Sequence, residues 1–316
     1  MLLPLGNATV RLHSESARIA AHWQELFGDA SQAASSALRK PDLSLELQLA
    51  NTIAPPAAIQ PVYRDSQRIL DVYQETAGDY KLHFTQGALV QLSVENGRSA
   101  TGIVTPDLLR LGGLEDVTYT SLAPLLRRRA VFLTHAAAVG TGAGALLLVG
   151  PTHSGKTTTG LALVLAGWKH LASDVVVLSH ATGDVLAYPT SGLLAARPPS
   201  FRLLPALRGL LREPNKATLP GGGKPIRLKA DQWGKPLPVR AICFPALGPD
   251  DQCRLLPLPR AVALARLMEE SIDRWDVAAL PEHIEFLSKL VRQSRHFRLT
   301  LAPDIERLPG MLEGAL

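Results

Sequence analysis

The stretch Gly150-Pro151-Thr152-His153-Ser154-Gly155-Lys156-Thr157 has the spacing G-x-x-x-x-G-K-T. Each fixed position has a chemical use. The glycines let backbone N–H groups turn inward around phosphate oxygens. A helix starting near Lys156 points the positive end of its dipole at the same place. Lys156 offers a point charge to the β- and γ-phosphates, and the Thr157 hydroxyl can ligate Mg²⁺. The surroundings fit: apolar ALLLVG precedes the loop and KTTTGLALVLAG follows it, so a strand should enter and a helix should leave. Gly150 to Thr158, with Thr158 in the first helical turn, are the expected nucleotide contacts rather than a bare glycine turn. His153 is expected to be an exposed filler of the variable positions.

A bound Mg²⁺ also calls for a carboxylate. Asp174 is the candidate. A helix from Lys156 to Ala166 covers about 15 Å, and the chain from Gly167 to Asp174 reaches roughly 25 Å when extended. It can therefore return to the phosphate edge. In most phosphate-loop ATPases the apolar run comes before this acid; here VVVL comes after it. A surface aspartate at a strand start is the plainer alternative. Arg197, Lys224, Arg227 and Lys229 are candidate cations for the phosphate charge, against the plain reading of solvated side chains. Trp233 either covers a ligand or anchors packing.

These residues need a frame. From Ala130 onward the order is strand (VFLTHAAAV), strand (ALLLVG), helix ending at Gly167, then HLASD and VVVLS. Pro- and Gly-rich material over 189–225 predicts a loop. A strand near VRAICFPAL, a helix AVALARLMEESI with apolar Val262, Leu264, Leu267, Met268 and Ile272, and a strand at HFRLTLA complete this half. The earlier half differs. An amphipathic helix is predicted over Ser14–Phe27 and a strand over Leu43–Leu49. After the break APPAAIQP, ILDVYQE, YKLHFTQ and LVQLSVEN predict a small antiparallel sheet, and 105–129 reads as helical. The expected division is 1–125, an N-terminal β-rich α+β domain, and 126–316.

Composition narrows the classes. The chain has 316 residues, 46% of them hydrophobic, and a formal net charge of +5. That is ample for a core and gives no long basic tract, so nucleic-acid binding is not indicated. Arg127-Arg128-Arg129 reads as a solvated surface run. Cys243 and Cys253 lack a CxxC pattern, so free buried thiols are expected. The start, MLLPLGNATVRLHSES, has no basic region before a long apolar run, and no membrane span is expected. The expectation is a cytoplasmic protein.

FLTHAAAV, then GPTHSGKTT fifteen residues after His135, then GWKHLASDVVVL, together resemble the HPr kinase/phosphorylase family and more closely its HPr kinase-like relatives. The texture of GKPIRL, PLPVRAICF, LLPLPRAVALARL and FRLTLAPDIERLP is similar, so the resemblance covers roughly residues 130–310. It implies an α/β fold with a P-loop kinase core of the HPr kinase/PEP carboxykinase type, ATP and Mg²⁺ as cofactors, and phosphate transfer to a serine of a small protein. Some such relatives phosphorylate a lasso-peptide precursor and carry an extra N-terminal β-rich domain, which implies a role for residues 1–125 in selecting the acceptor. HPr kinases assemble as hexamers, so a homo-oligomer is an expectation of the same kind. Carried over, Lys156 and Thr157 hold phosphates and metal, Asp174 falls on the second aspartate of the family's acidic pair, and His135 falls on the histidine near the reacting phosphate. The first aspartate, which takes the acceptor's proton, falls on Ser173. A neutral serine is no general base near pH 7. Either Asp174 does both jobs, or another group supplies the base, or transfer is weak. Three readings follow: a kinase of a peptide or small protein, a nucleotide-binding pseudokinase or regulator, and an ordinary P-loop NTPase.

Overall fold

The computed structural model describes residues 1–34, 40–56, 60–65, 69–95, 97–181, 183–190, 194–212, 222–249, 251–271 and 273–316. They form a mixed α/β protein of two compact units. One is Met1–Val131 with Asp273–Leu280; the other is Phe132–Ile272 with Pro281–Leu316. Residue 125 lies inside a helix of the first unit, and no sequence signal announced the return of 273–280.

The first unit is built on one mixed sheet. Its strands are β1 (Leu2–Leu5), β2 (Ala8–His13), β3 (Leu43–Leu49), β4 (Tyr63–Arg64), β5 (Leu70–Thr76), β6 (Asp79–Phe84), β7 (Ala88–Ser93) and β8 (Ser99–Val104), in the order β1-β2-β3-β8-β7-β6-β5-β4. The meander β4 to β8 is antiparallel; β5 to β7 are the three predicted alternating runs, and β4 and β8 extend them at either end. The sheet is larger than the sequence suggested, because β3 joins β2 and β8 in parallel register. A parallel neighbour needs a crossover, and α1 (Ala17–Ala34) supplies it. Alternation puts Val10, Leu12, Leu82, Phe84 and Val90 on buried positions. Ile19, Trp23 and Phe27 of α1 are buried too, and Trp23 Nε1 donates to Thr118 Oγ1 at 3.0 Å. Thr118 lies on α3 (Leu114–Arg127), which follows the short α2 (Pro106–Arg110).

Arg127 overturns the reading of the arginine run as a solvated surface. Its side chain is 5% exposed, and it contacts Asp276 at 2.7 Å and Asp273 at 2.6 Å. Arg128 also grips Asp276, at 2.7 Å. Burial alone would raise the Asp276 carboxyl pKa, but Arg128 and Arg127 outweigh it and hold the pKa below the ordinary value. The sign follows: a carboxyl depressed in the folded state adds stability above its unfolded pKa and loses it as pH falls through the folded one. Asp276→Asn leaves two guanidiniums facing a neutral amide. The expected loss is about 3–5 kcal/mol, read as a lower urea midpoint at neutral pH, with the gap to the parent closing in acid.

The second unit carries β9 (Val131–Thr141), β10 (Gly144–Val149), α4 (Lys156–Leu165), β11 (Lys169–Ala172), β12 (Val175–Ala181), β13 (Asp184–Tyr188), β14 (Ala195–Ala196), α5 (Pro198–Leu203), β15 (Lys224–Pro225), β16 (Leu237–Leu247), β17 (Arg254–Pro257), α6 (Arg260–Ser271), α7 (Leu280–Gln293), β18 (Arg295–Leu301) and α8 (Leu308–Glu313). β10 is buried throughout and lies between β9, antiparallel, and β16, parallel. β16 also pairs with β13 and β18, so the ladder β10-β9-β12-β13-β16 returns to β10. Two expectations change here. The predicted loop 189–225 contains α5 and the 3-10 turn Pro205–Leu210 among its described residues; 191–193 and 213–221 lie outside them. Helix α6 buries Ala263, Leu267 and Ser271, while Val262 is 40% exposed, and Ile272 lies outside the described residues. Among the described residues no helix is long and apolar enough to cross a membrane.

Candidate functional site

The loop Gly150–Gly155 joins β10 to α4, so the strand–loop–helix order holds. Gly155 caps α4 with φ +100°, a conformation that strains any residue with a side chain, and a Cβ there would also push on the Leu301 side chain. His153 has φ +69° in the same loop. A non-glycine residue held there costs about 1–3 kcal/mol. Its ring is exposed, and the Arg197 guanidinium lies 2.9 Å from it. Helix α5 is tied to the loop's helix by Thr158 Oγ1 and Ser200 Oγ, 2.7 Å apart.

Lys156 is buried at the head of α4. Its ammonium donates to the carbonyls of Gly150 and Pro151 and lies 3.1 Å from His135 Nε2. An ammonium has no lone pair, so Nε2 accepts and the His135 proton sits on Nδ1. The ring is also hydrogen-bonded to the backbone of Asp174. Burial lowers the His135 pKa, Lys156 lowers it further, and Asp174 opposes both. The ring is thus a neutral positioning group for Lys156. Burial lowers the Lys156 pKa as well, with Glu270 and Asp174 holding it up.

Strand β9 brings these groups together. It carries His135, pairs with β10 before the loop, and pairs with β11, which ends beside Ser173 and Asp174. Ala136 N donates to the Asp174 carbonyl at 3.1 Å, fixing the β11–β12 corner next to His135. The Asp174 side chain is exposed at that corner and Thr157 is half-buried. Ser173 Oγ lies 3.4 Å from His170 Nε2. Burial pushes His170 down to about 4, so it stays neutral, and Trp233 packs edge-on against it at 5.0 Å. Trp233 therefore anchors packing. Of the candidate cations, Arg197 reaches the loop, whereas Lys224, Arg227 and Lys229 are exposed side chains of the neighbouring segment.

One residue was missed by sequence reasoning. Glu270 sits half-buried near the end of α6, and that end is pinned to β9 by Ser271 Oγ donating to Thr134 Oγ1 at 3.2 Å, one residue from His135. Burial raises the Glu270 pKa, Lys156 lowers it, and Glu269 raises it. The pair Glu269-Glu270 on a predicted helix was visible, but nothing local tied it to Lys156.

The residues suit a nucleotide with its metal. Ser154 Oγ is a buried hydroxyl inside the loop with no partner among the described residues. No group of three or more His, Cys, Asp or Glu among those residues could hold a metal. Thr157 and Asp174 offer two oxygen ligands, and Mg²⁺ usually takes the rest from phosphate and water.

No family model matches the chain. No curated protein matches it. Among solved structures, the HPr(Ser) kinase/phosphatase from Coxiella burnetii aligns over 58% of this chain and 92% of its own, with 12% identity and a TM-score of 0.27. Likeness at that level decides nothing about the chemistry, which rests on the residues themselves.

Proposed function

We propose that the chain is an ATP-dependent kinase that transfers the γ-phosphate to a hydroxyl, a serine of a peptide or small protein. One observation carries the reading: a buried lysine heads the helix behind a glycine-bounded loop, with the His135 ring against its ammonium and the charges of Glu270 and Asp174 acting on it. Loop N–H groups and Lys156 bind the phosphates, and His135 orients the lysine. Thr157 and Asp174 would hold Mg²⁺, which would supply neutralisation of the phosphate charge. The acceptor oxygen bonds to the γ-phosphorus, the bond to the β,γ-bridging oxygen breaks, and ADP leaves. Glu270 takes the hydroxyl proton in place of the family aspartate that is Ser173 here. Positioning and electrostatics dominate such transfers.

Ser173 favours a second reading, nucleotide binding without transfer. The two separate on the fate of γ-labelled ATP incubated with the protein, Mg²⁺ and an extract of its own cell. Label in a peptide or protein is the expected result. Label released only as phosphate would mean an NTPase, and tight binding without turnover would mean a regulator.

A further inference from the structure

Charge is unevenly distributed along the chain. Residues 194–235 hold nine Lys and Arg against two acids, a net +7, while the whole chain is +5. The remainder is therefore slightly acidic. In the described part of this stretch, Asp231 is the one acidic residue.

The segment folds as a layer with two different faces. β14 pairs with β15, Ile226 N donates to the Leu194 carbonyl, and Arg227 N donates to the Leu210 carbonyl, so three pieces of chain lie side by side. Leu194, Phe201, Leu207, Ile226 and Leu228 are buried in one core with Leu161 and Val164 of α4. Arg197, Arg202, Arg208, Lys224, Arg227 and Lys229 are all exposed. The alternation Ile226 in, Arg227 out, Leu228 in, Lys229 out shows how the sequence separates the faces. None of these six cations joins an ion pair among the described residues. The layer is also fixed to the loop, through Arg197 at His153 and Ser200 at Thr158.

A surface of like charges left unneutralised is a field that attracts an opposite partner and steers its approach. A nucleotide's phosphates are provided for at the loop, and six cations spread over this layer exceed what one triphosphate needs. Nucleic acid fits less well. Single strands are held by aromatic platforms beside the cations, and here Phe201 is buried and Trp233 packs on His170. We propose that the outward face of the described residues 194–212 and 222–235 docks an acidic segment of the phosphoacceptor. The word phosphoacceptor rests on the kinase reading; the docking does not.

The test is fluorescence anisotropy on the full chain, with a labelled peptide of alternating Glu and Ser, the same peptide with Gln for Glu, and single-stranded DNA of matched charge. The acidic peptide should bind, more weakly as salt rises. The Gln peptide should not. The pairs Arg202→Glu with Arg208→Glu, and Arg227→Glu with Lys229→Glu, should each weaken binding about tenfold or more. Circular dichroism of both variants should match the parent. Equal binding of the Gln peptide, charge-reversed variants that bind like the parent, or DNA bound while the acidic peptide is not, would each overturn the proposal. Lys156→Ala should bind the acidic peptide normally. Docking by the parent chain with no phosphate transfer to any acceptor would sink the kinase reading and leave the docking surface standing.

Discussion

Lys156→Ala should reduce phosphate transfer by about 10²–10³-fold or more, because it removes a preorganised cation from the place where charge develops. The structure explains why the loss should be local. The ammonium is held by the carbonyls of Gly150 and Pro151 and by His135 Nε2, all in the loop or on the strand beside it. Its burial already disfavours the charge, as its lowered pKa shows. The core under α4, including Leu161, Leu163 and Val164, does not involve it. Thermal unfolding should thus stay close to that of the parent while a fluorescent ATP analogue binds more weakly. Lys156→Arg should not rescue, since a planar fork cannot replace a compact ammonium in a buried site. Measuring transfer of γ-labelled phosphate at saturating nucleotide separates lost chemistry from lost binding. Full transfer by the alanine variant would remove the loop from the mechanism altogether.

How much of this was legible depended on whether the cause was local. Loop, flanking strand and following helix are written in neighbouring residues, so the loop Gly150 to Gly155 could be placed between β10 and α4 from spacing alone. The meander of β5 to β7 was legible for the same reason: alternation is a property of each strand by itself. β1 was not, because four residues carry almost no periodic signal. Arg127 was misread because its partners, Asp273 and Asp276, are remote in sequence, and a charge run looks solvated until the acids that bury it are found. For α6 the predicted Leu267 is buried, but small Ala263 and Ser271 share its face while Val262 is exposed. Proline in 189–225 suggested a loop, yet Pro198 sits in the first turn of α5, where its missing N–H costs nothing. Glu270 belongs to the same class as Arg127. Its relation to Lys156 exists only once α6 is laid against β9.

That relation makes Glu270→Gln the second large expected effect. The substitution keeps shape and removes the ability to take a proton, and losing a general base typically costs about 10²–10⁴-fold in rate. Nucleotide binding should be unchanged or tighter, because a negative charge near the phosphates disappears. A merely structural role for Glu270 would lower binding and rate together. The pH profile discriminates further. A base works deprotonated, and burial raises the Glu270 pKa above the ordinary glutamate value despite the opposing charge of Lys156. Transfer should therefore fall as pH drops through a point above the ordinary glutamate value. The charged groups that act on Glu270 are Lys156 and Glu269. In Glu270→Gln that acidic limb should vanish, and in Glu270→Asp it should return at a reduced rate, since the carboxylate is present but one methylene short. If Glu270→Gln transfers phosphate like the parent at every pH, the proton goes elsewhere, and Asp174, the other carboxylate beside Lys156, must serve both metal and base.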